Sequence, residues 1–343
     1  MSPVSEELIQ NILNGKPFTM KQEASIAFID LIGFTNFQTE DIRGAITMVE
    51  GVINILATKL NNSNQHPIEQ YPTSELAELA LSVGTTSFLL AYPISDSIII
   101  ISENTDLFVV QLAHFIDECF QYAAHVYDEK GKIDPTSVTM TKIELDSNGN
   151  LKFGEHKEHW YPIMFKGGIS YGEFILYPSK LQIGSHLKEH INFIGEGYIK
   201  AYKHSEQHGP GFRGPRLFLD SSFIQRLGKK IRRYVVDVKV NGKQDKLQEL
   251  VWPALMYHEG NNPEVEANEI PGRIIPIIAL AKYYNTEPAH SQYQEFLILE
   301  ARGALMFFKN QNAINFAVER LKQFLPVDLL YNIPEWPESE SIS

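Results

Sequence analysis

The segment ASIAFIDLI, residues 24 to 32, is a short apolar run that carries one carboxylate, Asp30, near its end and is cut off by Gly33. A run of this length stopped by glycine reads as a buried strand. From Thr35 to about Asn61 the residues Ile42, Ile46, Val49, Ile53 and Leu56 recur three and four apart, which predicts a helix. The unit is strand, turn, helix. Taken alone, the charge of Asp30 fits a helix cap or a local turn bond. Further on, FLLAYPI (88 to 94) and SIIIIS (97 to 102) are separated only by Ser95 and Asp96, a hairpin signal in which Asp96 alone is a polar tip. Together, the two acids describe carboxylates at the ends of adjacent strands, beside a helix N-terminus whose free N–H groups favour phosphate. Hard oxygen ligands facing a phosphate cradle are what paired magnesium ions require.

The remaining pattern is mixed α+β. Residues 61 to 84 are polar and read as an insertion, and a second amphipathic helix spans about Asp106 to Tyr127. DSNG (146 to 149) suggests a surface hairpin, MFKGGISYGEFILY (164 to 177) a strand whose glycines permit close backbone approach, and GEGYIKAYKHSEQ (195 to 207) a helix. PRLFLD (215 to 220) reads as a strand, and YVVDVKV with LVWPALMY as a strand pair. After about His258 the segments GRIIPIIALAKYY, FLILEARGALMFFKN and INFAVERLKQFL are helical in period. The expected organisation is an N-terminal segment (1–22), a mostly antiparallel sheet flanked by helices (23–258) and a C-terminal helical region (259–343).

Composition narrows the partners. Against 42 acidic residues stand 30 basic ones, a net charge of −12 and the wrong sign for wrapping nucleic acid or an anionic membrane. The single cysteine, Cys119, excludes an internal disulfide and reads as a buried helical thiol. No basic, apolar leader opens the chain and no window reaches the roughly 18 apolar residues of a membrane span, so the expected home is the cytoplasm.

The segment AFIDLIGFTNF resembles the metal-binding motif of class III nucleotide cyclases, which Asp30, Leu31, Ile32, Gly33, Phe34 and Thr35 match in order. A second motif, a Gly-Asp dipeptide at a hairpin tip, corresponds to Ser95-Asp96. A third, a basic residue followed by x-Gly-Ile-x-x-Gly, is similar to Lys166 through Gly172. The resemblance covers about residues 23 to 258 and implies a class III cyclase-like core, working as a homodimer with sites at the subunit interface. It implies that Asp30, Asp96 and the backbone at Leu31 hold two Mg2+ or Mn2+ ions, and that Gly33, Phe34 and Thr35 contact the triphosphate. The product would be a 3′,5′-cyclic nucleotide, with pyrophosphate released.

The chain also departs from that pattern. A glycine followed by a helix with Asn and then Arg aligns here with Gly195, Ile199 and Lys203. Isoleucine cannot donate to a ribose, and lysine offers a point charge where arginine offers a fork. Lys203 is the candidate for transition-state charge, with a solvated helix face as the plain alternative; Lys200, Arg213 and Arg216 are possible substitutes. The two positions that select the base in the family hold Tyr92 and Asn192, which fit neither purine pattern. A bulky Tyr shortens a base pocket, and an Asn amide both donates and accepts, as the polar edge of uracil or cytosine demands. The alternative is an ordinary strand aromatic and a loop residue. In this respect the chain resembles the pyrimidine cyclases of bacterial antiphage systems, which implies cyclic UMP or cyclic CMP acting on a separate cyclic-nucleotide-binding effector. A purine cyclase, and a nucleotide-binding regulatory module without activity, are the competing readings.

Three further signals are set aside. His186 and His190 match an inverted zinc-peptidase spacing without a third ligand, GPGFRG (209 to 214) contains a proline and precedes a strand, and His204 and His208 read as solvated cations at a helix end. Phe307, Phe308, Phe316 and Phe324 read as core or dimer contacts.

Overall fold

A computed structural model describes residues 20–34, 39, 42–61, 86–124, 137–145, 151–159, 163–183, 186–209, 212–238, 247–257, 264 and 267–337. Thr35, most of the insertion, the DSNG turn and the first 19 residues lie outside them.

The first half runs β1 (Met20–Leu31), α1 (Ile42–Asn61), β2 (Phe88–Ile94), β3 (Ser97–Ser102), α2 (Thr105–Ala124) and, after a separate hairpin of β4 (Ser137–Leu145) and β5 (Leu151–His159), β6 (Phe165–Ile183). Within the large sheet these strands stand in the order β2-β3-β1-β6, all antiparallel. That is the βαββαβ arrangement of split β-α-β folds. β7 (His186–Ile194) pairs with the distal half of β6, and α3 (Glu196–Ser205) follows it. The sheet continues through β8 (Leu217–Leu219), parallel to β6, then β10 (Leu247–Leu250) and the edge strand β9 (Val235–Val238), making eight strands. Short helices α4 (Ser221–Ile224) and α5 (Lys229–Arg232) link β8 to β9. The observed class is therefore the expected one, α+β with a mostly antiparallel sheet.

Strand alternation gives the sheet two faces. Ala27, Ile29 and Leu31 of β1 and Ile98 and Ile100 of β3 pack against α1 and α2 in the main core. Ala24, Ile26, Phe28, Ile99 and Ile101 pack on the opposite face, under α3, with Phe174 and Leu176. Cys119 is buried within α2, as its setting predicts. Glycine at 168 lets α3 lie directly on β6: a Cβ there would stand 2.1 Å from the Ala201 carbonyl oxygen.

The α1 helix forms within the span its periodicity predicts, with only part of the periodic set turned inward. Ala45, Met48, Val52, Ile55 and Leu56 are buried, whereas Ile42, Ile46 and Ile53 are 57%, 52% and 40% exposed. Of the five periodic positions, Leu56 is buried and Val49 packs against the core, while the three isoleucines face outward.

The described residues then continue through α6 (Glu269–Tyr283), α7 (Ala289–Phe307), α8 (Gln311–Phe324) and the single turn α9 (Val327–Leu330). These helices share one hydrophobic core with the sheet. Phe296 of α7 meets Phe120 of α2 edge to face at 4.9 Å, and Trp252, fully buried, donates through Nε1 to the Pro215 carbonyl at 2.6 Å. Arg273 of α6 bridges Asp117 of α2 at 2.8 Å and the buried Glu300 of α7 at 2.9 Å. Of the tail aromatics, Phe307 and Phe308 are buried, while Phe316 and Phe324 are 40% and 36% exposed. Among the described residues no helix is long and apolar enough to cross a membrane.

Candidate active site

The antiparallel register of β1 and β3 sets Asp30 opposite Ser97, and the two-residue connection between β2 and β3 then places Asp96 at the end of β1. The Leu31 amide donates to the Asp96 carbonyl at 2.9 Å and the Ser97 hydroxyl to Asp30 Oδ1 at 2.7 Å. Two acids 66 positions apart, 96 less 30, thus meet at one end of the sheet. Ser95 takes φ 57°, the left-handed conformation that glycine adopts without penalty at a hairpin's first central position. This is a physical reason for a Gly-Asp pattern at such a tip.

Asp30 follows Ala24, Ile26 and Phe28 on the face covered by α3. Burial pushes its carboxyl up, the Ser97 bond offsets part of the shift, and the neighbouring Asp96 raises it further. Like charges brought together in a half-buried place favour a bound cation. The donor set is hard oxygen. Among the described residues no group of three His, Cys, Asp or Glu side chains forms a metal cluster. Two carboxylates completed by backbone carbonyl, water and phosphate oxygens suit Mg2+ or Mn2+ better than a caged metal such as structural zinc. The residues present therefore fit the group that the motif implies.

Next to the acids, β1 ends in a turn with Gly33 at φ 79° and the Phe34 side chain buried in the main core, which fixes the exit of the chain. Gly33 and Phe34 thus stand beside the carboxylates; Thr35 lies outside the described residues.

Other residues at the site carry a weaker signal in the sequence, or none. Lys166 of β6 is the register partner of Asp30 on the side away from β3. Burial lowers its ammonium below the ordinary lysine value, partly countered by Asp30, and Nζ donates to the Gln207 carbonyl at 2.8 Å. His208 also lies within electrostatic reach of Asp30. The Tyr202 hydroxyl donates to Glu206, which raises its pKa, and the Asp30 charge adds a smaller push in the same direction. Pairing Lys166 with Asp30 needs the strand register, which spacing alone does not supply.

Tyr92 is the register partner of Ile99, one row along the same face from Asp30. Its ring lies 5.0 Å from that of Phe193. The pleat turns the adjacent Asn192 the other way, and its amide donates to the Tyr177 carbonyl at 3.4 Å. Tyr92 of β2 thus meets Phe193 of β7, while the adjacent Asn192 bonds back to β6. Lys203 and Ile199 lie on the outer side of α3, Ile199 being 48% exposed. Their possible substitutes are engaged: Lys200 pairs with Glu196 at 2.7 Å, Arg213 with Glu287 at 3.1 Å, and Arg216 with the buried Glu249 at 2.7 Å.

One reading of the sequence is corrected. His204 is not solvated at the helix end: its Nε2 lies 3.3 Å from Asp220 Oδ2, and both side chains are largely covered. Burial raises the Asp220 carboxyl, but bonds from His204 and from the side chain and backbone of Ser222 outweigh it and hold the group well below the ordinary range. Asp220 also caps α4 through the Ser222 amide.

No protein-family profile matches the chain, and no curated protein does. Among solved structures, the adenylyl cyclase CyaB from P. aeruginosa is 12% identical, covering 68% of this chain and 95% of that one at a TM-score of 0.33. The guanylyl cyclase Cya2 is 15% identical over 67% and 91%, at 0.31. Adenylate cyclases from Trypanosoma brucei are 12% identical over 67% and 90%, at 0.35. Similarity at this level carries no chemistry from those proteins to this chain.

Proposed function

We propose that the protein is a metal-dependent nucleotide cyclase that converts UTP or CTP to its 3′,5′-cyclic monophosphate and pyrophosphate. The observation that carries this reading is the convergence of Asp30 and Asp96 through the β1–β3 register and the Leu31–Asp96 bond. In the reaction the ribose 3′-oxygen attacks the α-phosphorus, the bond from α-phosphorus to the bridging oxygen breaks, pyrophosphate leaves, and the hydroxyl proton passes to water. Two divalent ions would lower the pKa of that hydroxyl and neutralise the departing pyrophosphate. Asp30, Asp96 and the Leu31 backbone would hold them. The amides of Gly33, Phe34 and Thr35 would orient the triphosphate, and Ser97 would fix the rotamer of Asp30.

A homodimer completes the site. Within one chain Ile199 and Lys203 face outward, so a transition-state charge from Lys203 fits the site of a second subunit. Ile94, Ile194, Ile199 and Tyr202, each 38–48% exposed, give that surface the apolar content of a subunit contact. Tyr92 favours the smaller pyrimidine base by occupying space a purine needs. The product would serve as a second messenger for a separate cyclic-nucleotide-binding effector in antiviral defence.

Purified protein incubated with Mn2+ and each of the four nucleoside triphosphates tests the reading. Cyclic UMP or cyclic CMP in excess of purine products supports it; turnover of ATP or GTP alone refutes the pyrimidine assignment. Binding without turnover of any of the four refutes the cyclase.

A further inference from the structure

Lys166 stands beside the two acids yet is held by a backbone carbonyl. The antiparallel pairing of β1 and β6 sets it directly across from Asp30, so both side chains rise from one face with Cβ atoms about 5 Å apart. A half-buried lysine beside a carboxylate would ordinarily close an ion pair. Here the ammonium donates instead to the Gln207 carbonyl, just past the C-terminus of α3, at 2.8 Å, and Asp30 Oδ1 takes its bond from Ser97. The close seat of α3 over Gly168 brings that carbonyl down to the lysine. The cation is thereby fixed near the carboxylates without occupying their oxygens. The charges facing Asp30 are Asp96 from the hairpin, Lys166 from β6 and His208 beyond α3.

We infer that Lys166 is a positioning charge that weakens the binding of bare divalent ions at Asp30 and Asp96, so that the ions settle only together with the triphosphate. This rests on the two-carboxylate reading of the site. The positive charge opposes a lone dication at short range, and the polyanionic triphosphate cancels that opposition. Without nucleotide the site stays unloaded; with it, ions and substrate enter as one unit.

The test is a Mn2+ titration of the full-length protein, following free Mn2+ by electron paramagnetic resonance, with and without inorganic triphosphate. The variants are Lys166→Gln, which keeps a donor for the Gln207 carbonyl, Lys166→Met, and Lys166→Arg, which keeps the charge. In the absence of triphosphate the two neutral variants bind Mn2+ about tenfold more tightly than the wild type, while Lys166→Arg stays close to it. The enhancement of Mn2+ binding by triphosphate shrinks in the neutral variants. An unchanged or weaker Mn2+ affinity in a folded neutral variant overturns the inference. Asp30→Asn separates the two levels of failure. If that substitution abolishes Mn2+ binding while the neutral lysine variants gain nothing, only the role of Lys166 falls. If it leaves Mn2+ binding intact, the ions lie elsewhere and the site reading falls with it.

Discussion

Replacing Arg273 by methionine removes the centre of a buried charge cluster that ties the C-terminal helices to the rest of the fold. Its Nη2 lies 2.8 Å from Asp117 Oδ1 and 2.9 Å from Glu300 Oε1, and its Nε lies 3.0 Å from Glu300 Oε2. The Glu300 side chain is only 1% exposed, so the variant leaves a carboxylate with neither water nor partner. Breaking a buried pair in this way costs about 3–5 kcal/mol, a large part of the roughly 5–15 kcal/mol that holds a typical protein folded. Changing Glu300 to Gln at the same time removes the orphaned charge and recovers most of the loss, since removing both partners costs far less than removing one. Burial already raises Glu300 above its ordinary value, with Arg273 opposing the shift, so losing Arg273 raises it further. The native variant then binds a proton more tightly than the unfolded chain. Its stability falls as pH rises through the window above the ordinary glutamate value, and the deficit against wild type shrinks on acidification from about pH 8 to pH 5. Urea unfolding with a check for constant m-value reads both effects. A loss under about 1 kcal/mol, or one that does not change over that pH range, refutes this account of the cluster.

Other expectations follow from the site. Gly168→Ala drives a Cβ into the α3 backbone 2.1 Å away and costs about 2 kcal/mol or more, read by the same unfolding assay; a loss below about 0.5 kcal/mol contradicts the close seat of α3. Asp30→Asn relieves a carboxyl that burial and Asp96 push up, so at neutral pH the ion-free variant is more stable than wild type. That gain disappears as pH falls below the ordinary carboxylate range, where the wild-type group is protonated in both states; a variant less stable at pH 7 refutes the electrostatic reading. Tyr92→Ala widens the base pocket and shifts the ratio of kcat/KM for pyrimidine over purine triphosphates at least about tenfold towards purines, measured by competition. An unchanged ratio removes Tyr92 from base selection.

Much of the site is legible in the sequence because its parts are local. An apolar strand ending in Asp30, the Gly33 turn and a two-residue hairpin tip at Asp96 are each short-range patterns, and the hydrophobic runs are long enough to pair in only a few ways. Pairing partners are harder to read. Lys166 is visible as a motif residue, but only a full antiparallel register brings it across from Asp30, and His204 meets Asp220 through a contact between α3 and the end of β8. β7 passes unnoticed because HLKEHINFI carries too many charged residues for a clean alternation. In α1 the periodic positions find the helix, and two of them, Val49 and Leu56, face the core, but the exposed Ile42, Ile46 and Ile53 show that large apolar side chains alone do not define the buried stripe. Asn192 shows the limit of motif spacing: position in the chain matches, yet the pleat turns it away from Tyr92.

The central claim is that Asp30 and Asp96 jointly hold divalent ions beneath a triphosphate. Crystals grown with Mn2+ and a non-hydrolysable UTP analogue, measured at the manganese absorption edge, test it most directly. Two anomalous peaks, both with ligand distances of about 2.1–2.2 Å to oxygens of these two carboxylates and to the phosphates, are the predicted result. Manganese bound to the triphosphate alone, or at carboxylates elsewhere in the molecule, contradicts it.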